Sequence, residues 1–237
     1  MYKESIHTNH LIIGYGKHVV RDDVTFSLHE GEMVCMLGRN GSGKSTLLRT
    51  LAGLQPALGG ECNLIGLSQQ QLAQQLAIVL TERVGVDNTT VRDIVAMGRY
   101  PYINVMGSLT DDDERIIDES LTTVGIDKAE SMRFFNALSD GEKQRVLIAK
   151  AIAQTTPIIL LDEPTAHLDL PNRISVLQLL SNLAHNNNKT IIISTHELDL
   201  AMRYADRILL LTDTEIILDT PAEMQRIGAL KKTFGIE

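Results

Sequence analysis

Short runs of consecutive apolar residues recur along the chain and predict buried β-strands. Each run is four or five residues long and rich in β-branched residues or leucine, as expected for strands covered on both faces of a parallel sheet. The runs lie at residues 33–37, 77–80, 158–162, 190–194 and 207–211. Stretches of helix-forming composition alternate with the later runs, so the pattern predicts an α/β fold.

Helical patterns fill the stretches between these strands. They cover residues 45–52, 68–76, 171–185 and 198–204, and Thr220-Pro221 opens a last helix with proline at its first position. Between residues 86 and 150 the pattern is helical only, with capped starts at Thr90 and Thr110. We therefore predict a helical subdomain over about residues 86–150, inserted in a core formed by residues 1–85 and 151–237.

Shorter strand-like pieces occupy the N-terminal part of the chain. Residues 11–13 and 24–28 form two of them, and a third at 61–65 follows Gly59-Gly60. Tyr15 lies between the first two in a glycine-flanked turn. Its ring could stack on an adenine or be partly buried at a sheet edge, and residue chemistry alone favours neither.

The segment GRNGSGKST, between the strand at 33–37 and the helix at 45–52, fits the phosphate-binding pattern G-x-x-x-x-G-K-[ST]. Its glycines allow a tight turn whose N–H groups point at a phosphate, and the helix N-terminus adds about half a positive charge. Lys44 can reach the β- and γ-phosphates, and the Ser45 hydroxyl can bind Mg²⁺. The predicted ATP-binding residues are Gly38, Arg39, Asn40, Gly41, Ser42, Gly43, Lys44, Ser45 and Thr46.

Two acids follow a second buried strand, in the segment IILLDEP at residues 158–164. The strand would deliver them to the carboxyl edge of the sheet, where ligands of α/β proteins bind. We expect Asp162 to hold Mg²⁺ and Glu163 to accept a proton from an attacking water. An acidic turn at a strand end is common by itself, but it is not expected opposite a phosphate-binding loop.

Composition narrows the class of protein further. The 237 residues carry a net charge of −8, which opposes nucleic-acid binding. Cys35 and Cys62 have no metal or redox spacing and are expected to be core residues in a reducing compartment. The first ten residues lack the apolar core of a signal peptide, and the apolar runs are far shorter than the roughly 20 residues that span a bilayer. We expect a cytosolic protein, or one held at a membrane by a partner.

Three further motifs follow the phosphate-binding loop in order along the chain. They are LSDGE at residues 138–142, AHLD at 166–169 and a strand that ends at His196. Taken separately, the first is only a capped helix start, and a lone histidine at a strand end is usually structural. Together with the loop and the acidic strand, however, they resemble the ATP-binding cassette (ABC) ATPases over essentially the whole chain.

This resemblance implies the fold, the site and the assembly. The fold is a P-loop NTPase core with an N-terminal antiparallel β subdomain and an inserted helical subdomain, and Tyr15 stacks on adenine. A head-to-tail homodimer holds each Mg²⁺-ATP between the P-loop of one copy and the signature of the other. The resemblance implies that Lys44, Glu163 and His196 act in catalysis, with Glu163 as the general base and His196 at the γ-phosphate. It also implies that Asp169 links the two sites. The signature, which acts on the ATP bound by the other copy, consists of Ser139, Asp140, Gly141 and Glu142.

The chain departs from the family pattern at two places. In the signature, Asp140 replaces a glycine and Glu142 a glutamine, and exposed charges at a helix start contribute about 0.3–1 kcal/mol, enough to tune dimer closure. After the strand that ends at Leu80, the family has a glutamine that touches Mg²⁺ and senses the transmembrane partner. Here Thr81 or Glu82 stands in for that glutamine as a metal contact.

Residues 90–102 resemble the helical subdomain of importers for iron–siderophore complexes, haem and cobalamin. The resemblance implies that this segment docks transmembrane permease subunits at the cytoplasmic side of the cell membrane, with an external binding protein as an indirect partner. The alternatives are an ABC ATPase for another substrate or for export, a soluble ABC protein acting on ribosomes or DNA, and a small-metabolite kinase. The negative charge and the single cassette disfavour a soluble ABC protein that acts on ribosomes or DNA. A kinase would leave His196 and the signature unexplained.

Overall fold

Two β-sheets organise the part of the chain that the computed structural model describes, which is residues 3–81, 87–103 and 107–235. The smaller sheet is antiparallel, with the strand order β2-β1-β4. Its strands are β1 (Glu4–Tyr15), β2 (His18–His29) and β4 (Gly59–Cys62). The predicted strand at 61–65 begins two residues too late and ends three residues too late, because Gly60 approaches the His10 carbonyl so closely that a Cβ there would lie 2.0 Å from its oxygen.

The larger sheet has the strand order β5-β6-β7-β3-β8-β9 within the described residues. Its strands are β3 (Met33–Gly38), β5 (Leu76–Val79), β6 (Ile158–Asp162), β7 (Thr190–Ser194), β8 (Arg207–Leu211) and β9 (Ile216–Asp219). The first five are parallel, as predicted, and β9 runs antiparallel to β8. The sequence analysis missed β9, a half-buried edge strand. The predicted α/β class is confirmed.

Strand register brings the predicted site residues to one edge of this sheet. Met36 in β3 pairs with Ser194 in β7, and Asp162 in β6 pairs with the same serine. The carboxyl ends of β3, β6 and β7 therefore meet, and the phosphate-binding loop begins at Gly38 where β3 ends.

Alternating residues of the buried strands form apolar layers on both faces of the larger sheet. One face packs against α1 (Lys44–Leu51) and the smaller sheet. The other packs against helices from the second half of the chain, which are α7 (Leu170–Asn187), α8 (Leu198–Tyr204), α9 (Pro221–Arg226) and α10 (Ala229–Phe234). The predicted last helix is two helices, because Gly228 adopts a φ of 68° between them.

Helices also dominate the middle of the chain. After α2 (Gln69–Gln75), which precedes β5, this region contains α3 (Val91–Ala96), α4 (Asp111–Thr123), α5 (Lys128–Ser131) and α6 (Asp140–Ala153). Helices α3, α4 and α6 pack against one another, and a buried ion pair of 2.7 Å joins Arg99 to Asp113 at the start of α4. The subdomain boundary at residue 150 stays a prediction, and α6 continues past it.

In the described ranges we find no helix with the length and apolar character needed to cross a bilayer.

Candidate active site

The phosphate-binding loop connects β3 to α1 in a glycine-rich turn. Gly41 and Gly43 adopt φ values of 80° and 101°, which the absence of a Cβ allows. Lys44 begins α1, and its Nζ donates to the carbonyl oxygens of Gly38 at 2.8 Å and Arg39 at 3.2 Å. Burial lowers the pKa of Lys44, and the charges of Glu163 and Asp162 act in the opposite direction. The loop thus holds a buried cation that can exchange its carbonyl partners for phosphate oxygens.

A cleft of 440 Å³ lies directly above this loop. Its walls are Tyr15, Val20, Asn40, Gly41, Gly43, Lys44, Ser45, Thr46 and Glu163. Tyr15 is 53% exposed, and its hydroxyl lies 2.9 Å from the Thr46 hydroxyl. The sequence analysis missed Val20, because only the β1–β2 hairpin brings this apolar residue to the cleft.

The residues expected to bind Mg²⁺ lie together at the end of β6. The Ser45 hydroxyl donates to Asp162 Oδ1 at 3.2 Å, and the Ser194 hydroxyl donates to the same oxygen at 2.5 Å. A hydroxyl and a carboxylate suit Mg²⁺, which is usually bound by one or two carboxylates, substrate phosphates and water. Among the described residues no three His, Cys, Asp or Glu side chains form a cluster that could hold a metal ion.

Glu163 and His196 face each other beside the loop. His196 Nδ1 lies 3.5 Å from Glu163 Oε1. Glu163 adopts a φ of 47°, and its N–H donates to the Ser194 hydroxyl at 2.9 Å. A left-handed φ at a residue other than glycine is strained and persists only where neighbouring contacts hold it. The strained turn places the Glu163 side chain in the wall of the cleft, where a general base is expected.

Thr81 lies two residues after β5, the strand that pairs with β6. Its hydroxyl donates to the backbone carbonyl of Asp162 at 2.8 Å, so it contacts the backbone of the residue expected to bind Mg²⁺. Glu82, the other candidate, lies outside the described residues. The proposal that either of them contacts the metal stays a prediction.

The signature forms the start of α6. Ser139 caps the helix, and Glu142 Oε2 accepts hydrogen bonds from the Ser139 N–H at 2.8 Å and its hydroxyl at 2.7 Å. Arg133 pairs with the other oxygen of Glu142 at 2.8 Å. These contacts, chiefly that of the Ser139 hydroxyl, lower the pKa of Glu142 to about 2. The signature therefore contains a carboxylate that is charged at neutral pH.

The signature stands apart from the cleft in a single chain. Within the described part of the chain, the cleft wall contains none of Ser139, Asp140, Gly141 and Glu142. Gly141 instead faces the first turn of α7, where a Cβ would lie 3.4 Å from Asn172 Nδ2. Asp169 caps that helix by accepting from the Asn172 N–H at 3.1 Å. The expected roles of these residues across a dimer stay predictions.

Comparisons with known proteins agree on one family. A family model described as ABC transporter matches residues 21–166, more than half of the chain. An uncharacterized ABC transporter ATP-binding protein of Methanocaldococcus jannaschii is 40% identical over 215 residues, covering 89% of this chain and 74% of the relative. A probable siderophore transport system ATP-binding protein of Bacillus subtilis is 36% identical over 244 residues, covering 100% of this chain and 88% of the relative.

Solved structures show the same similarity in three dimensions. An ABC transporter of metal-chelate type, in an inward-facing conformation, aligns with a TM-score of 0.87 at 30% identity and covers 98% of this chain and 90% of its own. A dimeric ATP-binding cassette in a post-hydrolysis state, bound to ADP and Pi, aligns with a TM-score of 0.77 at 26% identity and covers 91% of this chain and 98% of its own.

Proposed function

This chain belongs to the ABC transporter family and is an ATPase, and we propose that it drives the import of a metal chelate across a membrane. The arrangement at this sheet edge supports the ATPase part of the proposal: the cleft wall contains the phosphate-binding loop and Glu163, the expected general base, and Ser45 in that wall contacts Asp162, the expected Mg²⁺ ligand. The siderophore-transport relative and the metal-chelate transporter support the choice of substrate. Iron–siderophore, haem and cobalamin are the candidate cargoes.

In the bound state, the loop amides and Lys44 hold the phosphates of ATP while Tyr15 stacks on the adenine. Ser45 and Asp162 would hold Mg²⁺, which would supply positive charge against the phosphates. Glu163 orients the attacking water and accepts its proton, and His196 contacts the γ-phosphate. Asp162 is itself held in place by the Ser194 hydroxyl.

A head-to-tail homodimer completes each site in this proposal. The cleft of one chain lacks the signature, so the α6 N-terminus of a second copy supplies it to the γ-phosphate. The dimeric cassette with ADP and Pi supports this arrangement. Gel filtration of the Glu163→Gln variant tests it directly: Mg²⁺-ATP should convert monomer to dimer, and a persistent monomer would contradict the sandwich.

The proposed partners are two permease subunits, which place this chain at the cytoplasmic face of a membrane, and an external binding protein that the chain does not touch. The segment from α3 to Tyr102 is the proposed permease contact, and its Tyr100 side chain is exposed. A net charge of −8 argues against a nucleic-acid partner.

The test of this function is transport in proteoliposomes. The tagged chain would be used to capture its permease from membranes, and the complex would be reconstituted with its binding protein. We expect ATP-dependent entry of a ferric siderophore, haem or cobalamin, and none with the Glu163→Gln chain as the matched control. The proposal would be contradicted if these chelates moved only out of the vesicles. It would also be contradicted if the rate of ATP hydrolysis did not change when the binding protein carried any of the three chelates.

A further inference from the structure

Glu197, the residue after His196, forms a bridge to the segment that carries the general base. The Thr165 hydroxyl donates to Glu197 Oε1 at 3.1 Å, and Arg173 Nη1 donates to Glu197 Oε2 at 3.0 Å. The Glu197 side chain is only 16% exposed. Both carboxylate oxygens are therefore engaged.

Arg173 extends this bridge to the next loop. It lies in the first turn of α7, and its Nε donates to the Leu168 carbonyl oxygen at 2.6 Å. One guanidinium thus contacts both the residue before Asp169 and the residue after His196. Because the planar guanidinium group fixes the directions of its N–H donors, these two contacts also fix the relative position of the two loops.

The loop between β6 and α7 needs such support. Glu163 and His167 both adopt left-handed backbone conformations, with φ values of 47° and 64°. Such residues are strained and keep their conformation only where the surroundings hold it. The Ser194 hydroxyl holds the start of the loop through the Glu163 N–H. The remainder of the loop is held at Thr165, which contacts Glu197, and at Leu168, which contacts Arg173.

We propose that Glu197 and Arg173 are positioning residues for ATP hydrolysis, which hold the Glu163 loop in register with His196 and join both to Asp169. The geometry that depends on them is the 3.5 Å separation of Glu163 and His196. Neither bridge residue lines the nucleotide cleft. The bridge therefore acts on the rate of the chemical step and leaves nucleotide affinity unaffected. The inference concerns the ATPase reaction and holds whatever compound is transported.

A double-mutant cycle on the full chain tests the bridge. Glu197→Gln keeps the size of the side chain without its charge, and Arg173→Met keeps an unbranched stem without the guanidinium. We expect each to lower kcat by about 10- to 100-fold, the scale of a small misplacement of catalytic groups. The Kd of a non-hydrolysable ATP analogue should stay within about twofold of wild type, because loop and cleft contacts are intact.

The double variant separates a shared bridge from two independent structural effects. If the two residues act through one contact, the double variant is about as slow as the slower single variant. Thr165→Ser should keep near-normal kcat and Thr165→Val should not, since only serine retains the hydroxyl. Arg115→Gln, which breaks the exposed pairs of Arg115 with Asp112 and Glu119, is the control and should leave kcat unchanged.

Three results would overturn the inference. One is a normal kcat in Glu197→Gln and Arg173→Met. Another is a double variant whose loss equals the product of the single losses. The third is a loss of analogue affinity as large as the loss of kcat, which would indicate general damage to the fold.

Discussion

The charge on Glu142 should stabilise the start of the signature helix, and Glu142→Gln isolates that charge. Glutamine keeps the length of the side chain and an oxygen that can accept from the Ser139 N–H and hydroxyl. It loses the negative charge that pairs with Arg133 and interacts with the helix N-terminus. Any difference between wild type and variant therefore measures the charge and not the cap geometry.

The size of the effect follows from the pKa of Glu142. Contacts to Ser139 and then Arg133 lower this pKa from 4.5 to about 2, which at 1.36 kcal/mol per pKa unit corresponds to about 3 kcal/mol. The side chain is 28% exposed, so solvent screens part of this energy. Since hydrogen bonds to charged groups contribute about 1.5–3 kcal/mol, we expect Glu142→Gln to lower the free energy of unfolding by about 1–2 kcal/mol at pH 7.

The pH dependence has a definite sign. Because the folded pKa lies below the unfolded value of 4.5, the stabilisation is fully present above pH 4.5 and is lost as the pH falls towards 2. Urea unfolding followed by circular dichroism at pH 7, 5.5 and 3.5 measures it. The difference between wild type and variant should be constant at the first two pH values and smaller at the third.

Glu119→Gln is the matched control, because Glu119 forms an exposed pair with Arg115 on α4. This change should leave the free energy of unfolding unchanged within error. Equal stability of the Glu142→Gln and Glu119→Gln variants at pH 7 would refute the reasoning. So would a Glu142→Gln difference that stays the same size at pH 3.5.

Three further predictions concern other parts of the molecule. Lys44→Ala should nearly abolish ATP binding, because it removes the cation of the loop; fluorescent-ATP titration checks this, and unchanged affinity would contradict the loop assignment. Arg99→Met should cost about 3 kcal/mol in chemical unfolding, because it removes the charged partner of the buried Asp113 carboxylate, which keeps its hydrogen bonds from Thr110; a loss below 1 kcal/mol would count against a structural role. Thr81→Ala and Glu82→Ala, tested separately, should raise the Mg²⁺ concentration needed for half-maximal ATPase activity if that residue contacts the metal; identical titrations for both would exclude the stand-in role.

Local motifs allowed much of the site to be predicted from sequence. Residues 38–46 carry the phosphate-binding chemistry in one continuous segment, so its position after β3 and before α1 needed no long-range information. The capping role of Ser139 was also predictable, since its partner Glu142 lies three residues later. Family membership rested on five such segments in order.

Contacts that depend on strand register or on close backbone approach were not predictable. Ser194 was only a strand end in the sequence, yet its hydroxyl binds Asp162 and accepts from the Glu163 N–H, because β6 and β7 pair in register. Val20 reaches the cleft only through the β1–β2 hairpin. The start of β4 depends on how closely Gly60 approaches His10. Each requires knowledge of residues distant in sequence.

The central claim is that this cleft hydrolyses ATP with Glu163 as the general base. The most direct measurement is phosphate release by Glu163→Gln, made alongside a titration of its ATP affinity. The account predicts that affinity is retained while turnover falls by about 10²–10⁴-fold, the usual contribution of a general base. Normal turnover in this variant would contradict the account, because the proton would then be accepted elsewhere.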